Sequence, residues 1–355
     1  DGIRDYKVTG VQTCALPISP PSKGPPMTSL DSSLAFDVIG DVHGYADKLV
    51  GLLETMGYRQ NDGVFRHPSR RAVFVGDLID RKVAFGPTDQ TDVVRIARSM
   101  VEAGSALMVM GNHEFNAISW VTPNPDKPGD FLRTHQGEKG DGHLKQHRQF
   151  LAEVEEGSNT HIEIIDWFRT LPLWLDIGPV RFVHACWHPH SMNVLRPMLE
   201  PGDRLSPDVL RLGNTKGTDV YEAVEVLLKG PEASLPEKAW YLDGNGIQRK
   251  KGRIKWWDRR AGTLDHAVLI DASMKTLDGL PHPGLPPEPT NVADPFRYHD
   301  DIPVFFGHYW GQHPVNISSD NALCTDYSAG KGNPLVAYRW SGEPLDVANF
   351  VMFPG

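Results

Sequence analysis

The chain has 355 residues, 40% of them hydrophobic and 23% charged, enough for one large α/β domain or two smaller ones with a buried core. Its formal net charge of −9 argues against strong nucleic-acid binding, which rests on many Lys and Arg neutralising backbone phosphates. No run of about 18 apolar residues predicts a membrane span, and three scattered cysteines, Cys14, Cys186 and Cys324, offer neither a disulfide framework nor a cysteine zinc site and fit a cytoplasmic setting.

Residues 1–18, which Pro17 interrupts, carry neither a structural element nor a targeting signal. Read back into codons, the segment VTGVQTCALPI resembles a sequencing-library adapter, so residues 1–26 are expected to be an assembly artefact or disordered tail, with Met27 as natural start and 27–355 as the domain.

From Ala35 onward the pattern is strand, turn, helix. Phe36–Ile39 predicts a strand, Gly40-Asp41-Val42-His43-Gly44 a turn, and Tyr45–Met56 a helix with Leu49, Leu52, Leu53 and Met56 at helical spacing. Ala72–Val75 predicts a second strand ended by Gly76-Asp77, Asp89–Ala103 a helix, and Ala106–Met110 a third strand ended by Gly111-Asn112-His113-Glu114. Val180–Val183 leads into His184, and Pro303–Phe306 into Gly307-His308. Asp41, Asp77 and Asn112 are 36 and 35 residues apart, the spacing of consecutive βαβ units, which puts polar groups at the carboxyl ends of strands where α/β sheets bind ligands. Carboxylate, imidazole and amide oxygen together suit a pair of divalent metals. Val336–Trp340 and Val347–Met352 are expected to complete the sheet, and Cys186 to be an inert buried thiol.

These five motifs, with Gly76-Asp77-Leu78-Ile79-Asp80-Arg81 extending the second, resemble those of the calcineurin-like metallophosphoesterases, in the branch of Ser/Thr protein phosphatases and diadenosine tetraphosphatases. The resemblance runs from about Phe36 to Phe353. It implies an α/β fold of two packed mixed β-sheets flanked by helices, with residues 188–301 as a lid or substrate-selecting insertion. It also implies that Asp41, His43 and Asp77 hold a first metal, and that Asp77 bridges to a second held by Asn112, His184 and His308. Manganese is the first choice, with iron, zinc or nickel as alternatives. His113 corresponds to the proton donor, Asp80 to the carboxylate that orients it, and Arg81, with Asn112, to the groups that clamp phosphate. The chain reads Gly307-His308-Tyr309-Trp310 where many phosphodiesterases of the superfamily read Gly-His-x-His, which disfavours that branch.

The insertion carries a predicted helix, Asp219–Lys229, a turn at Asp243-Gly244-Asn245-Gly246, a strand near Arg253–Trp257 and a proline-rich stretch, Leu280–Pro295. Its basic cluster, Arg249, Lys250, Lys251, Arg253, Lys255, Arg259 and Arg260, is a candidate for meeting an anionic substrate, with Arg253 as the second phosphate-binding arginine. Trp256-Trp257 reads either as core or as a stacking surface for a base. The leading expectation is hydrolysis of phosphate monoesters of the protein Ser/Thr phosphatase type. The alternatives are hydrolysis of a dinucleoside polyphosphate such as diadenosine tetraphosphate, and a non-catalytic metal-binding scaffold. The partner is accordingly a phosphorylated substrate: a phosphoprotein, a small phosphoester or a nucleotide.

Overall fold

A computed structural model of the chain describes residues 35–80, 89–243, 246–270, 274–317 and 319–354. β1 (Ala35–Ile39) leads to α1 (Ala46–Thr55), a hairpin of β2 (Arg59–Asn61) and β3 (Val64–Arg66), then β4 (Arg70–Phe74), α2 (Gln90–Glu102) and β5 (Ala106–Met108). Helices α3 (Asn112–Val121), α4 (Gly137–Val154) and α5 (Asn159–Arg169) precede β6 (Trp174–Asp176) and β7 (Arg181–Val183). Helices α6 (Pro189–Leu195), α7 (Pro207–Gly213) and α8 (Asp219–Lys229) follow, then the short β8 (Glu232–Ser234), β9 (Tyr241–Leu242), β10 (Gln248–Arg249), β11 (Lys251–Arg253) and α9 (Leu264–Ala267). The chain closes with β12 (Val304–Phe306), β13 (Ala322–Cys324), β14 (Leu335–Trp340) and β15 (Phe350–Phe353).

Two mixed sheets form the frame. One has the order β15-β14-β1-β4-β5, with β1, β4 and β5 parallel and β14 antiparallel to β1; the other has the order β13-β12-β7-β6, with β7, β12 and β13 parallel. Side chains alternate across a strand, so Phe36, Val38, Val73 and Val75 of the first sheet meet Phe182, Phe305 and Leu323 of the second in one apolar layer. The opposite faces are covered by helices: Ile39 and Phe74 join Leu49, Leu52 and Val93, while Val183 and Phe306 join Leu195, Val224 and Leu227. Asp37, also on an outward face, is fully buried and receives hydrogen bonds from Nε of Arg70 (2.7 Å) and Arg339 (3.1 Å). Among the described residues, no helix is long and apolar enough to cross a membrane.

Helix α8 has the predicted bounds because its ends are chemically marked. The Thr218 hydroxyl accepts from Tyr221 N–H (3.0 Å), and Gly230 stops the helix at φ +78°, where a side chain would be strained. The expected last strand begins three residues late, since Asp346 caps Ala348 N–H (2.9 Å) and folds Val347–Asn349 into a 3-10 turn.

Within the insertion, α6, α7 and α8 pack into the main core, whereas Ala233, Leu235, Ile254, Leu264, Val268 and Leu285 form a small core of their own. Trp256 and Trp257 are 0% and 7% exposed, and Trp256 Nε1 donates to Ala185 O (2.9 Å), so the pair offers no face to a base. Two residues of the predicted turn, 244 and 245, lie outside the described residues.

Phe305 is the clearest tie between the sheets, fully buried with its ring centroid 5.9 Å from that of Phe182 and 5.4 Å from that of Tyr338. Phe305→Ala is expected to cost about 3–5 kcal/mol, read as a lowered urea midpoint at unchanged far-UV circular dichroism.

Candidate metal centre

Each motif residue sits where a parallel strand ends. Asp41 and His43 follow β1, Asp77 and Asp80 follow β4, Asn112 and His113 open α3 after β5, His184 follows β7 and His308 follows β12. The loops are stitched together by backbone bonds from Val42 and His43 N–H to Asp77 O (3.1 and 3.0 Å) and from Gly307 N–H to His184 O (2.8 Å). His43, Asp77, Asp80 and His308 all adopt positive φ, between 48° and 70°. That conformation costs a non-glycine residue of order 1–3 kcal/mol, and it persists here because the surrounding bonds fix it. Two glycines admit carboxylates at close range: a Cβ on Gly307 would lie 2.1 Å from Asp41 Oδ1, and one on Gly111 2.3 Å from Asp77 Oδ1.

Asp77 divides its two oxygens. Oδ1 accepts the His113 amide at the start of α3 (3.0 Å), while Oδ2 faces Nε2 of His184, His113 and His43 at 3.4, 3.8 and 4.0 Å. His43 and His184 give their Nδ1 protons to Ile79 O (2.9 Å) and Val75 O (2.7 Å). A carbonyl only accepts, so in the neutral rings Nε2 carries a lone pair. His184 Nε2 also lies 3.1 Å from Asn112 Oδ1, while Asp41 Oδ1 and His308 Nε2 are buried with no hydrogen-bond partner. Lone pairs thus converge on one small volume, an arrangement that repels itself unless cations stand between.

The charges agree with that reading. Burial and the neighbouring carboxylates of Asp326 and Asp77 push the Asp41 carboxyl well above its usual range. Burial, aided by His113 for His43 and by Arg253 and His184 for His308, holds those two imidazoles below their ordinary pKa, in the neutral form that ligates metals. His184 is instead drawn upward, by the Asp77 carboxylate that outweighs its burial. Two groups each present ligand atoms within 4.8 Å of one another: His43, Asp77 and His113, and Asp77, His184 and His308. They share Asp77, so the donor set fits a dinuclear centre.

A second network adjoins the first. Asp80 Oδ2 accepts from His113 Nδ1 (2.6 Å) and Oδ1 from His147 Nδ1 (2.7 Å). Burial opposes charge on His113, but Asp77 and Asp80 outweigh it and lift its pKa to about 9. Glu114 is fully buried and accepts from Asp77, Leu78 and Gly111 N–H at 2.8–2.9 Å, bracing the loop of the shared carboxylate. Arg253 Nη1 donates to His308 O (3.1 Å), which puts it beside the centre, whereas Arg81 lies outside the described residues. Cys186 is fully buried and free of disulfides, and burial raises its thiol well above the ordinary value, as befits an inert core residue.

Four contributors were not anticipated. Asp326, beyond β13, accepts from Trp310 N–H (3.2 Å) and Ser328 N–H (2.8 Å) and faces Asp41; it shares the strand-end signal of the others and could have been found by it. His147 and Gln146 come from α4, and Arg133 from the loop before it, with no local pattern to mark them. Much of the anticipated basic cluster is engaged elsewhere: Arg249 pairs with Asp243 (2.6 Å), Arg260 with Asp258 (3.1 Å) and Arg259 with Asp301 (3.6 Å).

Gly307→Ala is predicted to displace Asp41 and lower the manganese retained after dialysis below that of the wild type, by elemental analysis, with the far-UV spectrum preserved. Equal manganese retention would show that Asp41 needs no such close approach.

Comparison with known proteins agrees with this geometry. Residues 34–228, over half of the chain, match the profile described as Calcineurin-like phosphoesterase. The asymmetrical bis(5'-nucleosyl)-tetraphosphatase PrpE of Bacillus subtilis is 35% identical over 217 residues, covering 60% of this chain and 79% of that protein. PrpE of Halalkalibacterium halodurans is 43% identical over 81 residues, covering 22% of this chain and 31% of that protein. With PrpE of Bacillus velezensis matched over 56% of its length, the chain spans from about a third to just over half of these latter two relatives. A cold-active protein-tyrosine phosphatase of a psychrophilic Shewanella is similar at 15% identity and TM-score 0.43, over 88% of this chain and 81% of that one. The strand-end residues and the profile match over more than half of the sequence together make this chain a member of the calcineurin-like phosphoesterase family.

Proposed function

We propose that the protein hydrolyses dinucleoside polyphosphates, with diadenosine tetraphosphate as the substrate to test first. The sequence alone favoured phosphate monoesters of the protein-phosphatase type. The choice turns on one observation, the extended identity with a protein named for bis(5'-nucleosyl)-tetraphosphate hydrolysis. Monoester hydrolysis shares the same centre and is the second arm of the test. A non-catalytic scaffold is disfavoured by the complete set of converging donors. Two free, buried thiols and a nucleotide substrate suit a cytoplasmic setting.

In this reading Asp41, His43 and Asp77 hold one divalent ion, and Asp77, Asn112, His184 and His308 the other. When bound, such ions polarise a phosphoryl oxygen and acidify water. Hydrolysis joins a water oxygen to phosphorus and breaks a bridging P–O bond, whose electron pair leaves on the bridging oxygen. His113 then meets that oxygen with a proton. Asp80 fixes the ring through Nδ1, and the carboxylates of Asp77 and Asp80 keep it charged near neutral pH, leaving Nε2 as the donor. Arg81 and Asn112 clamp phosphate oxygens, and Arg253 does so from the side of His308. Residues 188–301 act as the substrate-selecting lid.

Manganese-dependent turnover of diadenosine tetraphosphate should exceed that of a phosphoserine peptide and of p-nitrophenyl phosphate, and chelation should abolish all three. A clear preference for the phosphopeptide would return the assignment to a protein phosphatase. His113→Gln should lower kcat by about 10²–10⁴-fold, the range for general acid catalysis, without loss of bound manganese. Unchanged kcat would remove His113 from proton transfer.

A further inference from the structure

Arg133 is a half-buried cation on which the carboxylates of Asp80 and Glu225 act only from beyond ion-pair distance. Its Nε has no hydrogen-bond partner, and among the described residues no carboxylate lies at ion-pair distance from the guanidinium. Among the described residues its one side-chain bond runs from Nη2 to Gln146 Oε1 (2.6 Å). The other end of Gln146 stands 3.5 Å from Nε2 of His113, the nitrogen from which the leaving oxygen would draw its proton. A guanidinium whose Nε is out of water and unbonded is costly unless an anion satisfies it.

The loop that carries Arg133 is rigid. Asp130 accepts from Phe131 N–H (2.8 Å), His135 N–H (3.1 Å) and the Thr134 hydroxyl (2.6 Å), and the His135 ring stacks on Trp120 at 3.6 Å and on Phe131 at 4.2 Å. Arg133 N–H is tied to Ser119 O (3.0 Å) on α3, the helix that also carries His113. The guanidinium is therefore held at a fixed place relative to the proton donor.

Other cations stand on the side of Arg133 that faces Lys139. Lys127, Lys139 and Lys216 have no ion-pair partner among the described residues, and burial together with Lys216, Arg133, Lys127 and Lys229 depresses the Lys139 ammonium. Burial and Arg133 likewise push His143 down to about 4, so it is neutral and adds no competing charge. In a chain of net charge −9, Arg133 and these lysines form a local group of cations around Lys139.

We infer that Arg133, held by Gln146, binds a phosphate of the departing nucleotide and so selects substrates whose leaving group is itself a phosphate chain. This rests on the proposed hydrolysis only for the position of the scissile bond. A monoester leaves as an alcohol or phenol and gives Arg133 nothing to bind. A polyphosphate leaves with charged oxygens on the side of His113, within reach of a planar fork of donors suited to them.

The test is calorimetric titration of manganese-loaded protein with ATP as its manganese complex, and separately with inorganic phosphate. It compares wild type, Arg133→Ala and Arg133→Lys. Losing a hydrogen bond to a charged group should weaken ATP binding about 10- to 100-fold in Arg133→Ala, with inorganic phosphate unchanged and Arg133→Lys intermediate. The inference is overturned if ATP binds Arg133→Ala as tightly as wild type, if both ligands weaken equally, or if wild type binds no ATP. Turnover of diadenosine tetraphosphate is assayed alongside. A wild type that binds ATP through Arg133 but leaves that substrate intact would reject the proposed reaction and uphold this role.

Discussion

The Asp77 carboxylate, faced by the His43 and His184 nitrogens whose ring protons point away from it, is the constraint on which the rest depends. Val75 O and Ile79 O take the Nδ1 protons of His184 and His43, and the α3 amide takes one Asp77 oxygen. What remains is a set of acceptors too buried for bulk water and too close together to be left uncompensated. Positive charge has to enter that volume, and two cations either side of a shared carboxylate are the economical way to supply it.

The fold serves this arrangement by collecting strand ends. Parallel strands of both sheets stop along one edge, so residues far apart in sequence reach it after short turns. The turns are tight enough that four candidate site residues take left-handed backbone and two glycines leave room for carboxylates. Glu114, with three backbone donors, and the apolar layer around Phe305 hold the edge in place. Strain at the edge and tight packing behind it are two aspects of one design.

Most of the candidate site could be proposed from the sequence because its residues follow hydrophobic strands directly. A short apolar run, a glycine and a metal-binding side chain form a local signal, repeated five times. Arg133, Gln146 and His147 carry no such signal. Gln146 and His147 reach His113 and Asp80 through the packing of α4, at separations of 33 and 67 residues, Arg133 joins them through Gln146, and no periodicity encodes that meeting. The basic run at 249–260 read either as a substrate-facing cluster or as a solvated strand edge for the complementary reason: composition reports charge but not partners, and Asp243, Asp258 and Asp301 are supplied by the fold. Trp256 and Trp257 were legible as large aromatics, but only the packing against Phe306 and Tyr309 decided that they are core.

The central claim is that two cations complete the acceptor cluster around Asp77. It is tested most directly by anomalous diffraction from crystals of the full chain grown with manganese. Two peaks are predicted on either side of the Asp77 carboxylate, one toward His43 and Asp41 and the other toward His184, His308 and Asn112. A single peak, or none within bonding distance of Asp77 at full manganese saturation, would contradict the account.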